Sequence, residues 1–106
     1  MISHIAKIGK MRLISRRPLK QFWAKYPDAK TGLQHWIKAV ESAGWKNFAD
    51  VRQFFGSADQ VGKFIVFNIA GNKYRLIAVI HFYRQRCYVR HILTHKEYDL
   101  GKWKKE

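Results

Sequence analysis

Asn68, Arg75 and Thr94, with His95, Lys96 and Tyr98 just downstream, have the residue types and spacing for one particular chemistry. A guanidinium at Arg75 clamps a phosphate with two donors, and Lys96 adds a compact charge beside it. Tyr98 offers a face on which a base of single-stranded RNA stacks. His95 supplies an imidazole, the side chain most used for proton transfer. RNA cleavage by attack of a 2′-hydroxyl needs a base, a charge to stabilise the phosphorane and an acid for the leaving oxygen. Side chains of these types meet those needs without a metal. Each residue alone is weak evidence, since a strand arginine is equally compatible with a structural or solvated role.

Rival chemistries are less well served. Strand alternation puts His81 and His91 on opposite faces, which disfavours a zinc site, and no two of the 7 carboxylates are placed as a metal-binding pair. Gly71 stands alone rather than in a phosphate-cradling loop, and nothing calls for a cofactor. Cys87 is the single cysteine; it excludes an intrachain disulfide and reads as a small core hydrophobe. The 21 Lys plus Arg against 7 Asp plus Glu leave a formal net charge of +14 on 106 residues. Self-repulsion on that scale points to a polyanionic partner, nucleic acid or ribosome, over a merely solvated basic surface. Hydrophobic residues make up 47%, enough for the core of one domain. The longest apolar run, Leu76 to Ile80, is far too short for a membrane helix, and Met1 to Lys10 has no apolar signal region. The expectation is a cytoplasmic protein with no membrane association.

The elements that must position these residues fall into two halves. Ser15 is a candidate N-cap for a helix through Leu19, Phe22, Trp23 and Tyr26, which Pro27 ends. Asp28 is placed to cap a second helix through Leu33, Trp36, Ile37 and Val40, with Gly44 as a left-handed stop. Asp50 to Phe55 adds a further turn. After Gly62 the apolar period changes from helical to alternating. Lys63–Ile69, Lys73–Phe82 and Arg86–Leu93 read as three antiparallel strands, with turns at Gly71-Asn72 and Arg84-Gln85. Met11–Ile14 is a further strand. The expected fold is α+β, with an N-terminal strand and two to three helices packed on one face of a small antiparallel sheet.

If both turns are two-residue loops, Asn68 lies opposite Arg75 and Arg75 opposite Thr94, and opposed residues share a face. One face then collects Ile65, Phe67, Ile69, Leu76, Ala78, Ile80, Phe82, Cys87 and Val89, and the helices pack there. The other collects Asn68, Arg75, His81, Tyr88, Arg90 and Thr94 among Phe64, Val66, Ile77, Val79 and Ile92. That open face is the expected place of function. Asn68, Lys73, His81, Tyr88, Arg90 and Thr94 are its candidate RNA-binding residues.

The stretch Val66-Phe67-Asn68-Ile69-Ala70-Gly71-Asn72-Lys73-Tyr74-Arg75-Leu76, followed by Cys87-Tyr88-Val89-Arg90 and Thr94-His95-Lys96-Glu97-Tyr98-Asp99, resembles the HigB toxin family. That family lies within the RelE/ParE-like superfamily of toxin–antitoxin systems. Met11-Arg12-Leu13-Ile14-Ser15 looks like its usual start, so the resemblance spans about Met11 to Asp99. It implies a single RelE-like toxin domain over residues 11–106 behind an N-terminal extension, residues 1–10. It also implies a ribosome-dependent mRNA endonuclease that uses metal-independent 2′-hydroxyl attack on the 70S ribosome and needs no cofactor. The implied partner is a helix-turn-helix antitoxin, HigA, through which alone the toxin meets operator DNA. Arg75 matches the strand arginine of the superfamily's Tyr-Arg-Leu motif, a phosphate and transition-state contact. His95, Lys96 and Tyr98 are the other catalytic candidates, although many RelE-like toxins carry arginine where His95 or Lys96 stands. The alternatives are a non-catalytic RNA- or ribosome-binding module, or a same-fold toxin with a target such as gyrase.

Overall fold

The computed structural model describes residues 11–105, so the expected extension, residues 1–10, lies outside the described residues. In chain order the elements are β1 (Arg12–Ile14), α1 (Arg17–Lys25), α2 (Lys30–Ser42), α3 (Phe48–Phe54), β2 (Asp59–Val61), β3 (Phe64–Ile69), β4 (Tyr74–His81), β5 (Arg86–Thr94) and α4 (His95–Leu100). Short 3₁₀ turns at Pro27–Ala29 and Lys102–Lys105 complete them. The architecture is α+β, as expected. The sheet is larger than the expected meander and mixed: its order is β1-β5-β4-β3-β2, with β1 parallel to β5 and the other pairs antiparallel. Helices α1 to α3 carry the chain from β1 to β2 at the opposite edge, and the antiparallel strands then return to lay β5 parallel beside β1.

Helices α1 to α3 cover one face through the apolar stripes read from the sequence. Leu19, Leu33, Trp36, Val40 and Val51 are fully buried against Ile65, Phe67, Leu76, Ala78 and Cys87. Each such side chain contributes roughly 1.5–3 kcal/mol of burial, so this layer carries most of the fold's stability. Burial pushes the Cys87 thiol up to about 12, which keeps it protonated and inert.

Several local expectations fail for physical reasons. Ser15 does not cap α1; it adopts φ 77°, turning the chain between β1 and the helix, and Arg16 takes the cap position without a side-chain bond. Asp28 does not cap α2 either, because its carboxylate is occupied by Lys73 and Tyr74. Gly44 is not a left-handed stop: the chain leaves α2 in an extended conformation at Ala43.

The first hairpin has the expected register, with Asn68 opposite Arg75. The second does not. Its connection spans Phe82 to Gln85, closed by a Gln85 N–H bond to the Phe82 carbonyl, so His81 pairs with Arg86. A β-bulge at Arg90 then shifts the register again, and Arg75 faces Leu93 while Thr94 faces Tyr74. The bulge exchanges the faces of every residue after it. Ile92 packs on the helix side, whereas Leu93 joins Phe64, Val66, Ile77 and Val79 on the second face. His91 moves with Leu93, so His81 and His91 share a face rather than opposing one another. The second face is also not open at this end. Trp103, only 3% exposed, seals a small core over Phe64, Val66 and Ile77.

Candidate active site

The active-site candidate is assembled where β5 runs directly into α4. Thr94 is both the last strand residue and the helix N-cap. Its hydroxyl accepts from the Glu97 N–H at 3.2 Å, and the Glu97 carboxylate accepts from the Thr94 N–H at 2.9 Å. This reciprocal capping box fixes the angle at which the helix departs. Gly101, at φ 74°, ends the helix in a left-handed turn that brings Trp103 back onto the sheet.

Arg75 lies beneath that helix, 9% exposed and the one buried charged residue among the described residues. The β3–β4 turn holds its guanidinium: Nη1 donates to the Asn72 and Tyr74 carbonyls, and Nη2 to Asn72 Oδ1 at 2.9 Å. These bonds do not exhaust its donors. Tyr98 closes over it with the ring centre 5.4 Å from the guanidinium carbon, a cation–π contact. Tyr98 is in turn stacked on Trp103 at 5.1 Å, and the Trp103 indole N–H donates to the Tyr98 carbonyl. Arg75, Tyr98 and Trp103 are therefore layered one on the next.

His95 and Lys96 sit exposed on the first turn of α4. His95 Nδ1 is 2.9 Å from Asp99 Oδ2, one helical turn on. A carboxylate only accepts, so Asp99 favours the tautomer with the proton on Nδ1. Lys96 has no hydrogen-bond or ion-pair partner among the described residues. The other candidates divide. Asn68 is Arg75's register neighbour on β3 and belongs to the site. Thr94 is next to it, but its hydroxyl is committed to the cap. Lys73 is turned to the helix layer, where its ammonium binds Asp28 at 2.8 Å. His81 and Tyr88 lie toward the far end of the sheet, His81 edge-on to Tyr88 at 5.3 Å, and Arg90 is the exposed bulge residue in mid-strand, across from Ile77 and Ala78.

A second clamp ties this end of the sheet to the helices. The Tyr74 hydroxyl donates to Asp28 Oδ1 at 2.6 Å, opposite the Lys73 contact on Oδ2. Those two hydrogen bonds, Lys73 first, hold the Asp28 carboxyl below the usual carboxylate range. The same carboxylate, with burial second, pushes the Tyr74 phenol up to about 12.

Sequence reading missed Asn72, Asp99 and Trp103. The signals were present: Thr-x-x-Glu at residues 94–97 is a capping-box signature, and it predicts a helix on which His95 and Asp99 meet at i, i+4. Among the described residues no three His, Cys, Asp or Glu side chains are grouped to hold a metal, and no helix is long and apolar enough to cross a membrane.

Comparison with known proteins agrees with the resemblance carried by the strand and helix motifs. A profile of the HigB toxin family, described as the RelE-like toxic component of a toxin–antitoxin system, matches residues 29–101. The mRNA interferase toxin HigB of Escherichia coli K12 is 37% identical over 92 residues, covering 84% of this chain and 88% of that protein. The mRNA interferase HigB of Shigella flexneri matches equally, and that of Escherichia coli O6:H1 is 30% identical over 92 residues, 84% of this chain and 89% of the relative.

Proposed function

The chain belongs to the HigB family of RelE-like toxins, and on that premise we propose that it is the endoribonuclease of a toxin–antitoxin pair, cutting mRNA on the ribosome. A HigA-type helix-turn-helix antitoxin neutralises it and carries any contact with operator DNA. The observation that carries this reading is the convergence of Arg75, held by its own turn under Tyr98, with the exposed His95–Asp99 pair on α4.

The chemistry follows from those groups. His95 Nε2, oriented by Asp99, takes the proton of the 2′-hydroxyl at the scissile nucleotide. The 2′-oxygen attacks the adjacent phosphorus, and the spare donors of Arg75 stabilise the charge that builds on the phosphorane oxygens. Lys96 adds a second cation and a proton for the leaving 5′-oxygen. Tyr98 positions the nucleotide through its ring edge and hydroxyl, since Trp103 already occupies stacking surface. No step calls for a metal. The products are a 2′,3′-cyclic phosphate and a 5′-hydroxyl.

Purified toxin added to ribosomes on a defined mRNA, with polyamines keeping them intact in EDTA, tests this directly. Cleavage with those two end groups is expected. Arg75→Ala should slow it by about 10²–10³ while ribosome binding is largely kept, because the remaining bases still meet RNA backbone. Circular dichroism and melting separate this from unfolding, with Arg75→Lys as the milder second variant. A folded Arg75→Ala protein cutting at the parent rate would remove the site, and 5′-phosphate ends would remove the mechanism. Ribosome binding with no cleavage by the parent protein would favour the non-catalytic module.

A further inference from the structure

On the second face, beside Arg75, a cavity of about 370 Å³ opens between β5 and α4, lined by His91, Leu93, Glu97, Leu100, Lys102 and Trp103. We propose that this cavity is a nucleobase pocket, which seats a base flanking the cut and reads it through Glu97. The proposal rests on the mRNA-cleaving reading above and deepens it.

Three observations carry it. The first is position. Leu93, one wall, is Arg75's register partner across the β4–β5 ladder, and directly opposed residues lie about 5 Å apart at Cβ. Trp103, the other wall, is the residue stacked on Tyr98. A nucleotide whose phosphate meets Arg75 therefore has its neighbouring base at the mouth of this cavity. The second is wall chemistry. Leu93 and the Trp103 indole provide apolar surface, and Leu100 stands 64% exposed at the mouth, a large hydrophobe left in solvent. A flat heteroaromatic ring laid against them removes Leu93 and Leu100 from water.

The third is the polar rim. Glu97 is exposed, and its carboxylate has acceptor capacity beyond the one bond from the Thr94 N–H. An acceptor-only group selects a base that presents N–H donors on its pairing edge, guanine above all, and rejects uracil at its carbonyl positions. Lys102 supplies the compensating cation for a phosphate on the same nucleotide.

Glu97→Gln isolates the reading, because glutamine also completes a capping box and so retains α4. Two measurements are made on the whole chain. In the first, the Trp103 indole N–H resonance, assigned with Trp103→Phe, is followed while GMP or UMP is titrated. A shift with GMP and a much weaker one with UMP is expected, and Glu97→Gln should reduce the difference about tenfold. In the second, cut-site sequences are mapped for the parent, Glu97→Gln and Leu100→Trp proteins. The variants should still cut, with the base preference beside the cut relaxed. Unchanged preference in both variants, or a Trp103 resonance that responds to antitoxin but to neither nucleotide, overturns the pocket. Failure of the parent protein to cut any RNA while GMP still binds overturns the mRNA reading instead, so the two failures are distinguishable.

Discussion

The two ends of the sheet's second face carry similar residues under opposite conditions. At the α4 end, Arg75 is buried, bonded to its own turn and covered by Tyr98, which is itself stacked on Trp103. At the β4–β5 turn, about 20 Å along the strand, Tyr83 is fully exposed, His81 and Arg84 are exposed, and the ring contact of Tyr88 is with His81. A cation withdrawn from water must be paid back in fixed hydrogen bonds, and those bonds give it one geometry. A cation left in water has many. The first arrangement suits a transition state, whose charge appears at one point. The second suits a polyanion, which is attracted over a distance and tolerates rotation about the contact.

Variants at the two ends test that contrast. Trp103→Ala should have the largest effect, a loss of about 3–5 kcal/mol, because it empties the small core that holds α4. Denaturant midpoints measure it, and a loss under about 1 kcal/mol would mean that the α4 end is no better packed than the other. Asp99→Asn comes next. The fold should stand while kcat falls roughly tenfold to a hundredfold with KM little changed, as the His95 ring loses the acceptor-only partner that sets its tautomer. An equal fall in affinity would place Asp99 in binding instead.

At the bare end the expectations reverse. Tyr88→Ala should weaken RNA or ribosome affinity by about 1–3 kcal/mol and leave the chemical step alone. Arg84→Ala should reduce the slope of log affinity against log salt by about 1. A slowed chemical step in either variant, with binding saturated, would dissolve the distinction between the two ends.

The smallest effect belongs to the Asp28 clamp at the base of β4. Its carboxyl is held below the ordinary carboxylate value of 3.8, so the stability it adds is present above that pH and is lost as pH falls through the lowered value. Acid titration of the melting temperature should show this limb in the parent and a flatter one in Asp28→Asn. The Tyr74 phenol acts in the other direction. Its contribution is present below 10.0 and is lost as pH rises toward about 12. The surface exposure of the Lys73–Asp28 pair keeps both effects modest.

How much of this was legible in the sequence differs between the same two regions. The helix-covered face was legible almost residue by residue, because Leu33, Trp36 and Val40 repeat at helical spacing and Ile65, Phe67 and Ile69 at strand spacing. The fold class was legible as well, and so was the pairing of Asn68 with Arg75. Three things were not. The register of the second hairpin depends on Gln85 adopting φ 55°, an energetic choice made by its bonds to the Trp45 and Phe82 carbonyls rather than by turn composition. Asp28 reads locally as a cap, and only the tertiary approach of Lys73 and Tyr74 gives it other work. Trp103 lies beyond the strands, where a cluster of lysines conceals a core residue.

The bulge at Arg90 makes the site depend on counting. Side chains on a strand alternate, so what decides whether Leu93 meets Arg75 is whether an odd or an even number of residues separates it from the turn. Any amino acid at position 90 keeps the parity, and deletion of the position reverses it for everything downstream. Thr94 would then begin the helix from the wrong side, carrying His95 and Lys96 away with every chemical group intact. Arg90 thus acts by presence alone: whatever side chain it carries, the extra residue in mid-strand orders the end that holds Arg75.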